Sequence, residues 1–152
     1  MSSSSDIRMV DVGGKPITSR QAVARGKVLM QAATLSLLKK GKLPKGDVLA
    51  AARVAGIMAA KETHRLIPLC HPLLIEDVNI EFSLDDKASA VEITATVKGS
   101  GKTGFEMEAL TAVAVSGLTI YDMCKTVDQT LRLDNIRLVR KSGGKSGTIR
   151  LE

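Results

Sequence analysis

Apolar and polar residues alternate along two neighbouring segments in the middle of the chain. In residues 78–84 the even-numbered positions are apolar, and in residues 91–97 the odd-numbered positions are apolar. This period of two is typical of strands with one buried face. The polar residues 85–87 between them predict a turn, so we expect an antiparallel hairpin. Apolar residues in 131–139 predict a later strand, and residues 9–12 predict a short edge strand.

The early part of the chain predicts two helices. Thr18-x-x-Gln21 has the pattern of a capping box, in which a hydroxyl and an amide satisfy free backbone donors. We therefore expect a helix over residues 19–39, ended by Gly41. Asp47 is expected to cap a second, alanine-rich helix that runs to about residue 62.

A stiff loop and a long helix are expected on either side of the hairpin. Pro68 and Pro72 forbid a regular helix in residues 66–73. Residues 103–106 repeat the capping-box pattern and predict a helix to about Val127. The expected order is β, α, α, β, β, α, β, which indicates an α+β fold. Without the first strand and with the early helices merged, it resembles the ferredoxin-like arrangement, an antiparallel sheet with helices packed on one face.

Composition is typical of one globular domain. The 152 residues are 44% hydrophobic and 25% charged, and no stretch approaches the about 18 apolar residues of a membrane span. We expect residues 1–8 to be a disordered leader and residues 9–152 to form a single domain. Cys70 and Cys124 do not form a CxxC motif, and no secretory or transit pattern is present, which favours a reducing, cytoplasmic setting.

Basic residues are concentrated near the carboxyl end of the chain. The net charge is +6, and residues 132–151 hold six basic residues and one acidic residue. Such an excess favours an anionic partner, although a solvated basic tail has the same composition. Aromatic residues make up only 2% of the chain, so few side chains are available for stacking on single-stranded nucleic acid.

The long predicted helix carries a set of residues suited to proton transfer. On helical geometry, Asp122 lies about 40° and Lys125 about 100° around the axis from Glu108. These three residues thus share one side of the helix, where they form either an acid/base set or a solvated face with a surface ion pair. Apolar or small neighbours of Asp122 predict that its carboxylate is partly desolvated, which moves its pKa toward catalytic use.

Two further segments suggest binding chemistry. Cys70 and His71 lie between prolines, without another His or Cys at a metal-ligand spacing, so we expect no metal site. The loop either presents His71 as a hydrogen-bond donor or buries a thiol beside a capping histidine. Residues 141–147 can wrap a phosphate with backbone amides and two ammonium groups, or form a flexible basic tail. Lys45 stands at the start of a predicted helix, which also favours an anion.

Together these segments resemble the MoaC-type cyclic pyranopterin monophosphate synthase family of molybdenum cofactor biosynthesis. The segments that carry the resemblance are residues 9–12, 45–48, 66–73, 101–112, 118–125 and 137–147. The resemblance implies a catalytic domain with a ferredoxin-like fold and a homohexamer built as a trimer of dimers, with sites at the dimer interface. The implied lyase-type reaction converts a cyclised dihydro derivative of GTP to cyclic pyranopterin monophosphate with release of pyrophosphate.

The resemblance also assigns roles to individual residues. Asp122 is implied as the catalytic acid/base, with Lys125 and Lys45 beside the reacting group. The residues implied to line the substrate pocket or meet phosphate are Leu69, Cys70, His71, Met107, Glu108, Arg20, Lys141 and Lys145. No cofactor, nucleic-acid partner or membrane partner is implied, and Mg²⁺ is an option only together with the triphosphate.

One alternative function remains open from the residues themselves. The basic carboxyl-terminal segment is also consistent with a non-catalytic module that binds anions or nucleic acid. Such a module predicts an affinity that falls steeply with salt and little effect of Asp122→Ala. The small number of aromatic residues and the paired carboxylates on one helix count against this alternative.

Overall fold

The computed structural model describes residues 6–152, so residues 1–5 of the predicted leader lie outside the described part. Residues 6–8 belong to no helix or strand. The elements follow in the order β1 (Thr18–Leu29), α1 (Ala32–Lys39), α2 (Val48–Lys61), α3 (Thr63–Leu66), β2 (Leu74–Asp85), β3 (Ala90–Gly101), α4 (Glu106–Cys124), β4 (Arg132–Ser142) and β5 (Ile149–Arg150).

The strands form one antiparallel sheet in the order β2-β3-β1-β4-β5. Helix α4 contacts β1, β3 and β4, and α2 contacts α4 and β2. Fully buried and half-buried residues alternate along β1, as expected for a sheet that is covered on one face. The predicted α+β, ferredoxin-like fold, an antiparallel sheet with helices packed on it, is confirmed.

The first strand lies where the sequence predicted a helix. β1 replaces the first part of the helix expected over residues 19–39, and only α1 remains helical. Ala22 and Ala24 are fully buried at alternate positions, and β1 pairs with β3 on one side and β4 on the other. Pairing along both edges therefore outweighs the helix propensity of alanine. The expected edge strand is also wrong, because residues 9–12 form no strand.

Gly26, in the middle of β1, allows α4 to cross the sheet closely. A Cβ atom at this position would lie 2.8 Å from Val113 Cγ1 of α4 and 2.9 Å from Ile136 Cγ1 of β4. Between α2 and α4, Ser116 Oγ donates a hydrogen bond of 3.0 Å to the backbone oxygen of Ala52. Small residues thus bring α4 close to both the sheet and α2.

Most of the other expected elements are confirmed. The hairpin forms between β2 and β3, and Asp47 caps α2 by accepting from the Ala50 N–H at 3.1 Å. Gly41 ends α1 with a φ of 65°. The second capping box is not formed, because Phe105 occupies the N-cap position of α4 without a side-chain hydrogen bond. Within residues 6–152, no helix is long and apolar enough to cross a membrane.

Candidate functional site

Three charged side chains meet at the carboxyl end of α4. Asp122 Oδ1 lies 2.9 Å from Lys125 Nζ, and Asp122 Oδ2 lies 3.1 Å from Lys45 Nζ. Lys45 also donates to the backbone oxygen of Asp122 at 3.4 Å. These residues, called the Asp122 cluster below, are each roughly half exposed, so the cluster opens to solvent.

Local backbone structure brings Lys45 to the end of α4. Asp122 and Lys125 are one helical turn apart, so their contact follows from helix geometry. Lys45 comes from the loop between α1 and α2, where Gly41 N–H bonds to the Leu38 oxygen and Lys42 N–H to the Leu37 oxygen. These two bonds form a Schellman motif, which fixes the direction in which the loop leaves α1.

The charges in the Asp122 cluster stabilise one another. Hydrogen bonds from Lys125 and then from Lys45 hold the pKa of Asp122 below its ordinary value. The hydrogen bond to Asp122 raises the pKa of Lys125. The expected desolvation of Asp122 is wrong, because 54% of its side chain is exposed. Asp122 is therefore an ionised carboxylate between two ammonium groups at neutral pH.

A buried carboxyl group lies near the amino end of the same helix. Glu108 is only 2% exposed, and its Oε2 accepts a weak hydrogen bond from Cys70 Sγ at 3.7 Å. Within residues 6–152, no hydrogen-bond partner is found for Glu108 Oε1. Burial raises the pKa of Glu108. Cys70 and Glu108 are called the Glu108 pair below.

The neighbours of the Glu108 pair are a polar and apolar mixture. Burial, followed by the charge of Glu108, raises the pKa of the Cys70 thiol to about 11, which disfavours a thiolate nucleophile. His71 is half-buried, whereas Leu69 is 42% and Met107 37% exposed. The proline-flanked loop thus presents a protonated thiol, an imidazole and apolar surface at the amino end of α4.

Basic side chains surround a cleft next to the amino end of α4. Arg20, Lys141 and Lys145 line a cleft of about 50 Å³, and Arg20 and Lys145 also line an adjoining cavity of about 430 Å³. The guanidinium of Arg20 donates to the backbone oxygens of Gly101 and Lys102 at 3.2 and 3.4 Å. These residues, called the basic cleft below, are suited to phosphate oxygens.

The glycine-rich turn after β4 forms one wall of the basic cleft. Gly143 and Gly144 have φ values of 101° and 73°, which favour glycine. A Cβ atom on Gly144 would lie 2.8 Å from Arg20 Nη1, so the absence of a side chain lets the turn approach the guanidinium. The segment predicted as a flexible loop thus begins inside β4 and returns through β5.

Two residues near the basic cleft were missed from the sequence. Glu106 Oε1 lies 3.1 Å from Lys141 Nζ, whereas the sequence suggested only a capping role for Glu106. Lys15 lines the larger cavity together with Arg20, although it lies in a loop before β1. The charge of Glu106 beside a candidate phosphate ligand was visible in the sequence, but no local pattern indicated Lys15.

The candidate residues gather at the two ends of α4. The Glu108 pair and the basic cleft are neighbours, because Glu106 lies two residues before Glu108 and pairs with Lys141. Asp122 is 14 residues beyond Glu108 (122 − 108), which corresponds to about 21 Å along a helix. The expectation that Glu108 and Asp122 act together on one side of the helix is therefore wrong for a single copy of the chain.

The chemistry of both regions suits an anionic ligand. Among residues 6–152, no group of three or more His, Cys, Asp or Glu side chains is arranged to hold a metal ion. The basic cleft combines guanidinium, ammonium and glycine backbone groups, as phosphate sites do. The Asp122 cluster adds a carboxylate and two cations that can exchange protons.

Comparisons with known proteins agree with this chemistry. The MoaC family model matches residues 9–144. A Chloroflexus aurantiacus protein is 62% identical over 140 residues, 92% of this chain and 86% of its own length. A Roseiflexus castenholzii protein is 61% identical over 142 residues, which cover 93% of this chain and 90% of that protein. Both are named cyclic pyranopterin monophosphate synthase. The chain belongs to the MoaC family.

Proposed function

We propose that the chain forms cyclic pyranopterin monophosphate in molybdenum cofactor biosynthesis. The observation that carries this proposal is the family match over residues 9–144, with 61–62% identity to proteins named for that product. The proposed substrate is a cyclised dihydro derivative of GTP, and the proposed second product is pyrophosphate. The anion-binding chemistry at both ends of α4 supports this assignment.

Closure of the cyclic phosphate is a displacement at phosphorus. A hydroxyl oxygen of the substrate forms a bond to the α-phosphorus, and the bond from this phosphorus to the bridging oxygen breaks. Pyrophosphate leaves with the electron pair, while the hydroxyl proton passes to a base. The reaction therefore needs a base close to the hydroxyl and cations close to the leaving group.

The Asp122 cluster supplies a base and two cations. Asp122 is ionised, and it contacts Lys125 and Lys45 at 2.9 and 3.1 Å. In the proposed mechanism, Asp122 accepts and returns protons during pterin ring formation and cyclisation. Lys125 and Lys45 donate protons or stabilise negative charge beside the reacting atoms.

The other end of α4 is proposed to bind the substrate. The buried Glu108 and the half-buried Cys70 and His71 would line the pocket for the purine-derived rings, together with Leu69 and Met107. The residues proposed to contact the triphosphate are Arg20, Lys141 and Lys145. A phosphate would compete with Glu106 for Lys141, since these side chains already form an ion pair.

We also propose that the two groups of residues meet across a subunit interface. They lie at opposite ends of one helix within a single copy, so a second copy is the simplest way to combine them. Large apolar side chains are exposed beside both: Leu118 and Tyr121 near Asp122, and Leu66 near Cys70. Covering such surface favours association. The proposed assembly is a homohexamer, a trimer of dimers.

The proposed function is tested by incubating the purified protein with the cyclised GTP derivative. We expect a pterin product and one equivalent of pyrophosphate for each substrate consumed. The absence of both products with wild-type protein would rule the function out. A binding module would instead show salt-dependent binding of nucleic acid without turnover.

The shared site is tested by mixing two variants at a substrate concentration far below KM, where each of them alone has little activity. Asp122→Ala removes the base from one end of α4, and Lys145→Ala combined with Lys141→Ala removes cations from the other end. If each site takes one end from each of two copies, random co-assembly restores about a quarter of the wild-type activity. Mixed assemblies without regained activity would contradict the shared site, and Asp122→Ala mixed with itself provides the control.

The proposal includes no resident cofactor, because the reaction is a rearrangement in which the substrate undergoes no net oxidation or reduction. Mg²⁺ is proposed only as a companion of the triphosphate. The remaining proposals are that neither nucleic acid nor a membrane is a partner and that the protein acts in the cytoplasm.

A further inference from the structure

A buried aspartate outside the proposed site connects the two segments that carry the Asp122 cluster. Asp128 is 2% exposed and lies three residues after Lys125, in the loop that follows α4. Each oxygen of its carboxylate accepts two hydrogen bonds. Oδ2 accepts from Gln31 N–H at 2.9 Å and Thr34 Oγ1 at 2.8 Å, and Oδ1 accepts from Thr130 N–H and Oγ1 at 2.8 and 2.7 Å.

One side of this network is fixed to the end of α4. The N–H groups of Val127 and Asp128 both donate to the backbone oxygen of Cys124, at 3.0 and 3.1 Å. Cys124 is fully buried and is the last residue of α4. The carboxylate of Asp128 is therefore in a fixed position relative to the helical turn that carries Asp122 and Lys125.

The other side of the network is fixed to α1. Gln31 is the N-cap residue of α1 but makes no capping hydrogen bond with its own side chain. Asp128 instead holds this end of the helix from outside, since its carboxylate accepts from Gln31 N–H and Thr34 Oγ1 at the positive end of the helix. Helix α1 then leads through Gly41 into the loop that presents Lys45.

We propose that Asp128 is a positioning residue for the reaction, which sets the distance between Lys45 and the Asp122–Lys125 turn. The inference rests on the proposed function for the roles of these three residues. Asp128 itself is enclosed by its four donors and does not touch the substrate. Its loss lets α1 and its loop move relative to α4, which separates Lys45 from Asp122.

The kinetic test uses Asp128→Asn, which replaces an acceptor oxygen by an NH₂ group that faces the same donors. We expect kcat to fall by about 10- to 100-fold, because misplacement of about 1 Å at a catalytic group has effects of this size. KM should change little, since the proposed substrate-binding residues lie at the other end of α4. A loss that appears only in KM, or an unchanged kcat, would overturn the proposal.

A milder pair of variants separates positioning from general stability. Thr34→Val removes the hydroxyl donor on the α1 side, and Thr130→Val removes the matched donor on the Thr130 side. If Asp128 acts by fixing α1, Thr34→Val lowers kcat more than Thr130→Val does. Ser116→Ala, which removes a buried hydrogen bond from the middle of α4, serves as the stability control with unchanged kcat. Equal effects of all three variants would contradict the proposal.

A spectroscopic readout without substrate distinguishes this inference from the proposed function. The carboxyl carbon of Asp122 is titrated by NMR in wild type and Asp128→Asn. We expect the pKa of Asp122 to rise toward its ordinary value in the variant, because Lys45 moves away. A wild-type protein without turnover would exclude the function alone, whereas superimposed titrations of the two proteins would exclude the positioning role.

Discussion

Helix α4 has a buried carboxyl group near each end, and the pKa is raised in one of them and lowered in the other. Near the amino end, Glu108 is 2% exposed and accepts a weak hydrogen bond from a thiol, and burial raises its pKa. Beyond the carboxyl end, Asp128 is equally buried, and burial again acts to raise its pKa. Four hydrogen bonds, from Gln31, Thr130 and Thr34, outweigh this effect and lower the pKa to about 2.

The difference shows that donors, and not burial alone, determine the charge of a carboxyl group. The well-satisfied Asp128 is suited to hold structure, whereas Glu108 Oε1 is a buried oxygen for which no hydrogen-bond partner is found within residues 6–152. Asp122 is a third case, because it is exposed and its pKa is lowered by two lysines. The carboxyl end of α4 thus carries an ionised base, Asp122, and the amino end carries Glu108, an acid whose raised pKa favours the protonated form.

The largest expected effect comes from removing the ionised base at the carboxyl end. Asp122→Ala should lower kcat by about 100- to 10,000-fold, the usual contribution of general acid–base catalysis. The urea unfolding midpoint should stay close to that of wild type, because the side chain is half exposed. Steady-state assays of pyrophosphate release measure the first effect.

The control for this prediction is Asp86→Ala, which also removes an exposed aspartate from an ion pair with a lysine, Lys39. This pair lies outside the Asp122 cluster, so its loss should leave kcat unchanged. If both variants lose activity equally, or if neither does, Asp122 does not have the proposed role.

The next effect concerns Asp128, beyond the carboxyl end of α4, and is measured as the loss of stability in acid. Because the pKa of Asp128 is lowered from 3.8 to about 2, its contribution of about 2 kcal/mol is present above pH 3.8 and is lost as the pH falls toward 2. Asp128→Asn should therefore be less stable at neutral pH and should lose less stability on acidification. Urea unfolding at several pH values between 2 and 7 measures both.

If the free energies of unfolding of wild type and Asp128→Asn decline in parallel as the pH falls toward 2, the lowered pKa of Asp128 is contradicted. The pH dependence of stability of Thr130→Val should lie between those of wild type and Asp128→Asn, because Asp128 keeps its other three donors.

Much of the fold was predictable because its signals are local. The hairpin of β2 and β3 was visible in the alternation of residues 78–84 and 91–97, and the start of α2 was visible in the cap at Asp47. β1 was not predictable in this way. Its alanines favour a helix, and its strand form depends on pairing with β3 and β4, which lie more than 60 residues later along the chain.

The candidate site was only partly predictable. Family-like motifs predicted which residues form the site, and helix periodicity predicted that Glu108 and Asp122 lie on one side of α4. Periodicity says nothing about what covers each end, so it missed that Glu108 is buried and Asp122 exposed. The separation of about 21 Å did follow from the sequence spacing alone. The network of Asp128 did not, because Gln31 and Thr34 are 97 and 94 residues away.

A smaller effect sharpens the assignment of the amino end to substrate binding. Lys145→Ala removes one cation from the basic cleft and should raise KM about tenfold, with little change in kcat, as for the loss of one charge-assisted hydrogen bond. The matched control is Lys87→Ala, an exposed lysine in the turn between β2 and β3. A large loss of kcat without an increase in KM would place Lys145 in the chemistry instead.

The smallest expected effect concerns the protonation of Glu108. Its pKa is raised by burial, so the protonated form stabilises the fold fully below pH 4.5, and this contribution is lost as the pH rises above 4.5 through the raised pKa. Glu108→Gln cannot ionise, so the variant should lack this part of the decline in the free energy of unfolding. Unfolding curves at intervals between pH 4 and 8 measure the slope, with the exposed Glu81→Gln as a control that keeps it. Identical slopes in wild type and Glu108→Gln would mean that burial does not raise the pKa of Glu108 in the native state, and the contrast between the two ends of α4 would then lie only in the number of hydrogen-bond donors that face each carboxyl group.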